Sequence, residues 1–216
     1  MTGKRRDYIF PNINLLVICF FLFFVSNALA QYVETDEASN SEKSVDLDEA
    51  KIELFSQLEK IMVVAENVEG QFSQRKFISV LPNPLLSKGV FSYGKTTGLD
   101  WRTQTPIVSR LVFNEQGIRQ DVEGNTVWEI DGMQPAVVSI TRVMTGVLSG
   151  DWLVLNEFFD ISGSVDSQNW ELTLTPKDEV IQQLITSLKV SGAEKLKSLT
   201  LFESNDDRTE ITFLIN

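Results

Sequence analysis

The side chains that most often perform chemistry in enzymes are sparse in this sequence. The 216 residues contain no histidine, and their one cysteine, Cys19, lies near the N-terminus. Nucleophiles that need a histidine base, zinc sites built from cysteine and histidine, and disulfides are therefore excluded. Glycine-rich phosphate loops and calcium-loop spacings do not occur in the sequence either.

Paired carboxylates are the remaining catalytic candidates, because glycoside hydrolysis needs only two of them. Asp206 and Asp207 are adjacent, but they fall in a predicted hairpin turn, where aspartate is favoured for backbone reasons. Glu157 and Asp160 flank two phenylalanines at a predicted strand edge, and the sequence offers them no evident partner. We interpret all four as solvated or turn carboxylates. The sequence thus predicts a protein that is not an enzyme and that uses no cofactor or metal.

Charge excludes one large class of partner. Thirty acidic residues outnumber nineteen basic ones, which gives a net charge of −11. Nucleic acid is therefore not an expected partner, because phosphate binding needs a basic surface. The composition, 43% hydrophobic and 23% charged, is that of a globular chain.

Residues 1–30 have the three parts of a secretory signal peptide. Basic residues at positions 4–6 precede an apolar run from Leu15 to Val25, and alanines stand at −3 and −1 of a cleavage site after Ala30. We therefore expect secretion across the inner membrane and a mature chain that begins at Gln31 and is soluble in the periplasm.

This segment has two alternative interpretations. A single transmembrane anchor is one alternative, because residues 9–31 carry no charge and are long enough to span a bilayer. The Ala-Leu-Ala site favours cleavage instead. Lipidation of Cys19 is disfavoured, because Ile18 precedes it where a lipoprotein signal has a small residue.

The mature chain divides into a leader and one domain. Residues 31–44 are polar and acidic, which predicts a flexible leader. Residues 45–216 contain no internal repeat and no second linker, so we expect a single domain. It opens with an amphipathic helix whose apolar face runs from Leu47 to Ala65, and Asp46 with Glu49 forms a plausible capping box.

After this helix the apolar period changes from helical to two. Short alternating runs separated by turn residues predict an antiparallel meander, with strands resuming near Phe158. A helix from about Met133 to Leu148 interrupts it, and Arg142 is its only charged residue, so it must bury both flanks. A short helix over 178–185 is predicted before the last strands.

Large aromatic side chains fall on the apolar parity of consecutive strands. One interpretation is an ordinary packed sheet core. The other is a concave sheet whose side chains line an apolar cavity, with the apolar helix as its lid. The predicted lipid-binding lining consists of Phe72, Phe91, Tyr93, Leu99, Trp101, Phe113, Trp128, Met133, Val137, Ile140, Met144 and Val147.

Several motifs, in order, resemble a known family. The run from Val68 to Lys76, with its Phe-x-Gln core, is similar to the first strand of the periplasmic outer-membrane lipoprotein carriers, the LolA-like family. Further similar segments are Gly89–Tyr93, Leu99–Arg102 leading to Pro106, Thr126–Trp128 and Leu172–Lys177. The resemblance covers about residues 45–216. It implies an α+β fold, an unclosed antiparallel β-barrel (half-barrel) wrapped over helices that act as a lid on an apolar cavity for acyl chains.

Two departures from the family pattern suggest a divergent branch. The best-known carriers have an Arg-Pro pair just before the tryptophan-bearing strand, and its arginine latches the lid. Here that stretch reads Lys95-Thr96-Thr97-Gly98, so the latch is missing or moved. The chain also ends at Asn216 without the extra C-terminal segment of those carriers. The cargo is then a lipoprotein, a glycolipid or another acyl product.

The resemblance implies a monomeric periplasmic carrier of an acylated lipoprotein or lipid. Its donor would be an inner-membrane exporter, and its acceptor would be an outer-membrane receptor. A lipid- or lipoprotein-sensing regulatory module of the same fold is the first alternative, and a lipid hydrolase that uses Asp or Glu is the second.

Overall fold

The computed structural model describes residues 49–62, 66–133, 135–177, 179–183 and 185–216. The predicted signal peptide, the predicted leader and the capping residue Asp46 lie outside the described residues. In the part that is described, no helix is both long enough and apolar enough to cross a bilayer.

Six strands follow the first helix, and five more follow a pair of consecutive helices. The helices are α1 Glu49–Ile61, α2 Pro135–Ser149, α3 Trp152–Phe158 and α4 Glu179–Gln182. The strands before α2 are β1 Asn67–Phe77, β2 Leu85–Gly94, β3 Gly98–Thr105, β4 Ser109–Asn114, β5 Gly117–Val122 and β6 Asn125–Asp131. The strands after α3 are β7 Phe159–Val165, β8 Trp170–Pro176, β9 Ile185–Gly192, β10 Leu196–Glu203 and β11 Arg208–Ile215.

All eleven strands form one antiparallel sheet. Their order is β6-β5-β4-β3-β2-β1-β11-β10-β9-β8-β7, so the first and last strands pair in its middle. The edges β6 and β7 are not paired to each other, and the sheet stays open. The chain between these edges carries α2 and α3, while α1 contacts β7 and α2 contacts β1 and β5. The predicted fold, an unclosed antiparallel half-barrel with helices against it, is confirmed.

One face of the sheet holds the core. Strand β1 alternates exposed and buried residues along its length, as the period of two predicts. Helix residues Phe55 and Leu58 of α1, Val147 of α2 and Trp152 of α3 join the inward strand residues in a single apolar cluster. The helices therefore cover the concave side of the sheet.

One short helix was not predicted, and another was predicted too long. The strand expected to resume near Phe158 begins at Phe159, but residues 152–158 before it form α3. The Asp151 side chain accepts a hydrogen bond from the Val154 amide at 3.1 Å as the N-cap of α3. The helix expected over 178–185 is limited to Glu179–Gln182, because Ile185 already belongs to β9.

An ionic cluster is buried at the end of the concave face where β1, β10 and β11 meet. The Lys76 ammonium is hydrogen-bonded to Glu203 and lies 3.6 Å from an oxygen of Asp207. Burial lowers the pKa of Lys76 and raises the pKa of Glu203, because each charged form loses its water. Asp207 lies in the turn between β10 and β11, as the sequence predicted, but it is buried and paired with Lys76 instead of solvated.

Replacing Lys76 by methionine should lower the free energy of unfolding by about 3–5 kcal/mol, because two buried carboxylates lose their cation. The double variant Lys76→Met, Glu203→Leu should recover part of that loss, since it also removes one of the two buried carboxylates left without a cation. Urea unfolding measures the difference, and Lys197→Met on exposed surface is the matched control. A loss in K76M no larger than in K197M would contradict the burial of the cluster.

A second network joins β3 to β4 on the convex face. Asp100 accepts hydrogen bonds from Arg102 at 2.6 Å and from Arg110 at 2.8 Å. The two arginines are direct cross-strand neighbours and would repel each other without it. Burial alone would raise the pKa of Asp100, but the two guanidinium groups outweigh it and lower that pKa to about 2.

Asp100→Asn should therefore lower the free energy of unfolding by about 1 kcal/mol at neutral pH. The folded pKa lies below the ordinary unfolded value. The contribution of the carboxylate is thus complete above about pH 4 and is lost as the pH falls toward about 2. The gap between wild type and D100N should be clearly smaller at about pH 3 than at about pH 6 in urea titrations. A gap that is constant over that range would contradict the role of the charge.

Candidate functional site

Four aromatic rings meet on the concave face around β1, β2, β3 and β11. Phe72 and Trp101 are stacked with ring centroids 4.0 Å apart, and Phe91 stacks on Trp101 at 5.7 Å. Phe213 meets Phe91 edge-on at 5.6 Å and Trp101 at 6.2 Å. Edge-on and offset arrangements of this kind are the favourable ones for aromatic rings.

Two glycines make room for these rings. In the ladder of β1 and β2, Gly89 lies opposite Phe72, and Gly70 lies opposite Phe91. A Cβ on Gly89 would lie 2.8 Å from Cε1 of Phe72, and a Cβ on Gly70 would lie 3.1 Å from Cε1 of Phe91. Each ring thus lies over a glycine of the neighbouring strand, which is why a Gly-x-Phe pattern occurs in both strands.

Helix α2 contacts β1 and β5 and adds apolar side chains to the same cluster. Val137 and Val147 are buried at 1% and 4% exposure, while Ile140 and Met144 are partly buried against the same core. The helix contains β-branched and small residues on nearly every side, so its burial rather than its intrinsic propensity stabilises it.

The one charged side chain of α2 is directed to another helix. Arg142 forms an ion pair with Glu157 of α3 at 2.6 Å and lies 5.3 Å from the centre of the Phe158 ring. Helices α2 and α3 are therefore joined as a hairpin by a contact that does not involve the sheet. Glu157 has a partner that sequence reasoning did not find.

Two polar pairs lie where the helices meet the sheet. Tyr93 on β2 lies beside Ser149, the last residue of α2, and burial raises the pKa of Tyr93 although the Ser149 side chain opposes the rise. Lys51 of α1 forms an ion pair with Asp160 of β7 at 2.5 Å. Asp160 is exposed as predicted, but it is paired.

The structure brings together all but one of the residues predicted to line a cavity. They belong to a single apolar cluster, in which Phe72, Phe91, Leu99, Phe113, Val137 and Val147 are buried and Tyr93, Trp101, Trp128, Ile140 and Met144 are partly buried. Met133 lies in the turn before α2 and is 90% exposed, so it is not part of this cluster.

Sequence reasoning missed one aromatic and several polar residues of this face. Phe213 joins the rings because β11 pairs with β1, which places it opposite Phe72. Gln120 is buried and accepts a hydrogen bond from Nε1 of Trp128 at 2.9 Å. The burial of Lys76 and Glu203 could have been predicted, because each lies at a position that the alternation of its strand directs toward the core.

The site offers apolar and aromatic surface rather than reactive groups. Among the residues that the structure describes, no three Cys, Asp or Glu side chains gather where they could hold a metal ion. What this arrangement can do chemically is contact an apolar ligand.

A family model and a relative of known name both place this sequence in the same family. Residues 64–214 match the family model described as outer membrane lipoprotein carrier protein LolA. An outer-membrane lipoprotein carrier protein of Pseudomonas putida is 25% identical over 161 residues, which are 72% of this chain and 73% of that protein.

Solved structures give more distant similarities. A LolA superfamily protein of Nitrosomonas europaea is 6% identical, with a TM-score of 0.38 over 76% of this chain and 90% of that chain. The MucA/MucB complex of Pseudomonas aeruginosa is 12% identical, with a TM-score of 0.38 over 76% of this chain and 56% of that chain.

The family match spans well over half of the sequence, from residue 64, shortly before β1, into the last strand. The same residues form the open antiparallel sheet together with α2, α3 and α4, whereas α1 precedes the matched region. The chain belongs to the LolA family of outer membrane lipoprotein carrier proteins.

Proposed function

We propose that the protein is a periplasmic carrier that holds the acyl chains of a lipoprotein or lipid between its aromatic concave face and α2. It takes this cargo from an inner-membrane exporter and delivers it to an outer-membrane receptor, acting as a monomer. The observation that carries the proposal is the single apolar cluster that α2 shares with the aromatic rings, while Arg142, the charged residue of α2, is paired with α3. Family membership and the name of the Pseudomonas putida relative support it.

A helix attached in this way is suited to act as a lid. Its apolar side chains belong to the core cluster, and Ser149 at its end lies beside Tyr93 of β2. Lifting it would separate apolar surfaces, but it would leave Arg142 paired with Glu157. Acyl chains that replace the helix on the rings would restore much of the lost apolar contact.

Energetics favour a lid that resists opening. One acyl chain of about sixteen carbons gains roughly 12 kcal/mol on burial, which corresponds to about nanomolar affinity. A carrier that bound several such chains without an opposing cost would not release them. The work of lifting α2 offsets part of this energy and keeps delivery to an acceptor possible.

The variant Met144→Glu tests the lid. Met144 is partly buried on the inner side of α2, so a carboxylate there would lie where acyl chains sit, and binding of a hydrophobic fluorophore by delipidated protein should collapse. The ligand-free melting temperature should change little, because an openable helix lets the carboxylate reach water. Fluorescence titration and thermal unfolding are measured on the same protein.

Val138→Glu is the matched control, because Val138 is on the same helix but is 46% exposed. It should leave both binding and melting close to wild type. If M144E instead destabilises the ligand-free protein by several kcal/mol, α2 is permanent core. If delipidated wild type neither binds the fluorophore nor is stabilised by it, the carrier proposal is wrong.

The identity of the cargo and the direction of its transfer are tested by mass spectrometry and a transfer assay. Mass spectrometry of the organic extract of purified protein should reveal a lipid or an acylated peptide. The loaded protein should then pass that molecule to an acceptor fraction of outer membranes. Retention of the cargo together with a stable signalling partner would favour a sensing module of the same fold.

The proposed location follows from the N-terminal sequence and fits a family of outer-membrane lipoprotein carriers. Protein recovered from the periplasmic fraction should begin at Gln31, because the alanines at 28 and 30 suit the cleaving peptidase. N-terminal sequencing decides this. An intact Met1 in the membrane pellet would instead indicate an uncleaved anchor.

A further inference from the structure

The turn between β1 and β2 exposes apolar side chains. Val80 is 85% exposed, Leu81 is 42% exposed, and Leu86 at the start of β2 is 60% exposed. We call these three residues the apolar tip. Single exposed apolar residues are ordinary, but three within seven positions of one turn indicate a surface that is covered by something else.

The apolar tip has a fixed base. The Leu81 amide donates a hydrogen bond to the Ile78 carbonyl at 2.9 Å, and the Ser79 amide donates one to Asp207 at 2.9 Å. Asp207 itself belongs to the buried ionic cluster with Lys76. These hydrogen bonds hold the turn at the end of the sheet in the conformation that exposes the apolar tip.

Basic residues concentrate on the convex face beside the apolar tip. Arg75 lies opposite Leu86 in the ladder of β1 and β2, and Arg208 lies opposite Phe77 in the ladder of β1 and β11. Lys88 and Lys189 lie on the same face in adjacent rows, and we call these four the basic patch. Acidic residues on or beside this face include exposed Asp206, Glu210, which pairs with both arginines, and exposed Glu171, two residues from the Thr173 that pairs with Lys189. In a chain of net charge −11, a face where four basic residues outnumber these three carboxylates is a local exception.

Aromatic rings lie among these cations. The Arg208 guanidinium is 4.1 Å from the centre of the Phe77 ring, and that of Arg75 is 5.7 Å from it. The Lys189 ammonium is 5.5 Å from the centre of the Phe202 ring. Basic side chains with long apolar stems and aromatic rings both suit the boundary between headgroups and acyl chains in a membrane.

We propose that this end of the sheet docks the protein on a phospholipid bilayer with anionic headgroups. The apolar tip enters the interfacial region, and the basic patch contacts the phosphates. A bilayer is favoured over a protein partner because the apolar side chains project from a turn instead of lining a groove. The acidic remainder of the surface is repelled by the same headgroups, so the protein approaches with this end first. The inference goes beyond the carrier function and does not depend on it.

Vesicle sedimentation tests the docking. Wild-type protein, expressed as the full chain and recovered after export, should bind vesicles of phosphatidylethanolamine and phosphatidylglycerol and bind phosphatidylcholine vesicles much more weakly. Val80→Ser with Leu81→Ser should lower the partition coefficient about tenfold, because two apolar side chains leave the interface. Lys88→Gln and Lys189→Gln should each lower it about fivefold, which is the effect of about 1 kcal/mol per basic residue.

Matched controls lie at the opposite end of the same strands. Leu214→Ser removes an apolar residue that is 65% exposed on β11, and Lys95→Gln removes an exposed charge in the turn after β2. Both should bind vesicles as wild type does. Fluorophore binding should be normal in every variant, so a failure of the docking proposal is distinguishable from a failure of the carrier proposal.

Three results would overturn the proposal. Equal binding to neutral and anionic vesicles would remove the role of the basic patch. Undiminished binding by V80S/L81S would remove the role of the apolar tip. Loss of binding in the lysine variants alone, together with capture of wild type by immobilised polyglutamate, would assign the patch to an acidic protein surface.

Discussion

An open sheet with one apolar face must cover that face with something, and this requirement governs the rest of the molecule. The two edge strands, β6 and β7, do not pair, so the sheet cannot fill its own interior by closing into a small barrel. The chain between these edges supplies α2 and α3, and the segment before β1 supplies α1. Removing any of the three would expose a contiguous apolar surface to water.

The cover is not equally tight on the two sides of the fold. On the side of β7 and β8, Trp152 and Trp170 meet edge-on at 5.4 Å and are 5% and 1% exposed. Under α2, by contrast, Trp101 and Met144 are only partly buried. The side chains at this part of the α2 contact are thus more accessible than the two tryptophans, although Val137 and Val147 of the same helix are buried.

The alternation of single strands could be predicted, but the pairing of distant strands could not. Phe72, Phe91 and Trp101 were placed on one face because their strands follow one another along the chain. Phe213 reaches the same rings through the pairing of β1 with β11, and no local pattern reports contacts between strands so far apart in sequence.

Helix α3 was missed for a different reason. Its seven residues are too few for a helical period to be distinguished from a short buried strand, and only the Asp151 cap marks its start. The sequence analysis did not predict the ionic cluster, because lysine and glutamate are almost never fully buried unless they are paired. Their partners, again, come from strands that are distant in sequence.

The buried ionic cluster separates two surfaces of different character. Along the inward face of β1, Val68 and Phe72 are apolar, whereas Gln74 is polar and Lys76 is charged. Apolar residues of similar volume could have filled this end at no loss of stability, because burying an ion pair gains little net energy. They could not have accepted the hydrogen bond that Asp207 takes from the Ser79 amide. The cluster therefore ends the apolar concave face and holds the turn beyond it. An acyl ligand on the aromatic rings and a bilayer at the apolar tip would thus meet different parts of the same strand.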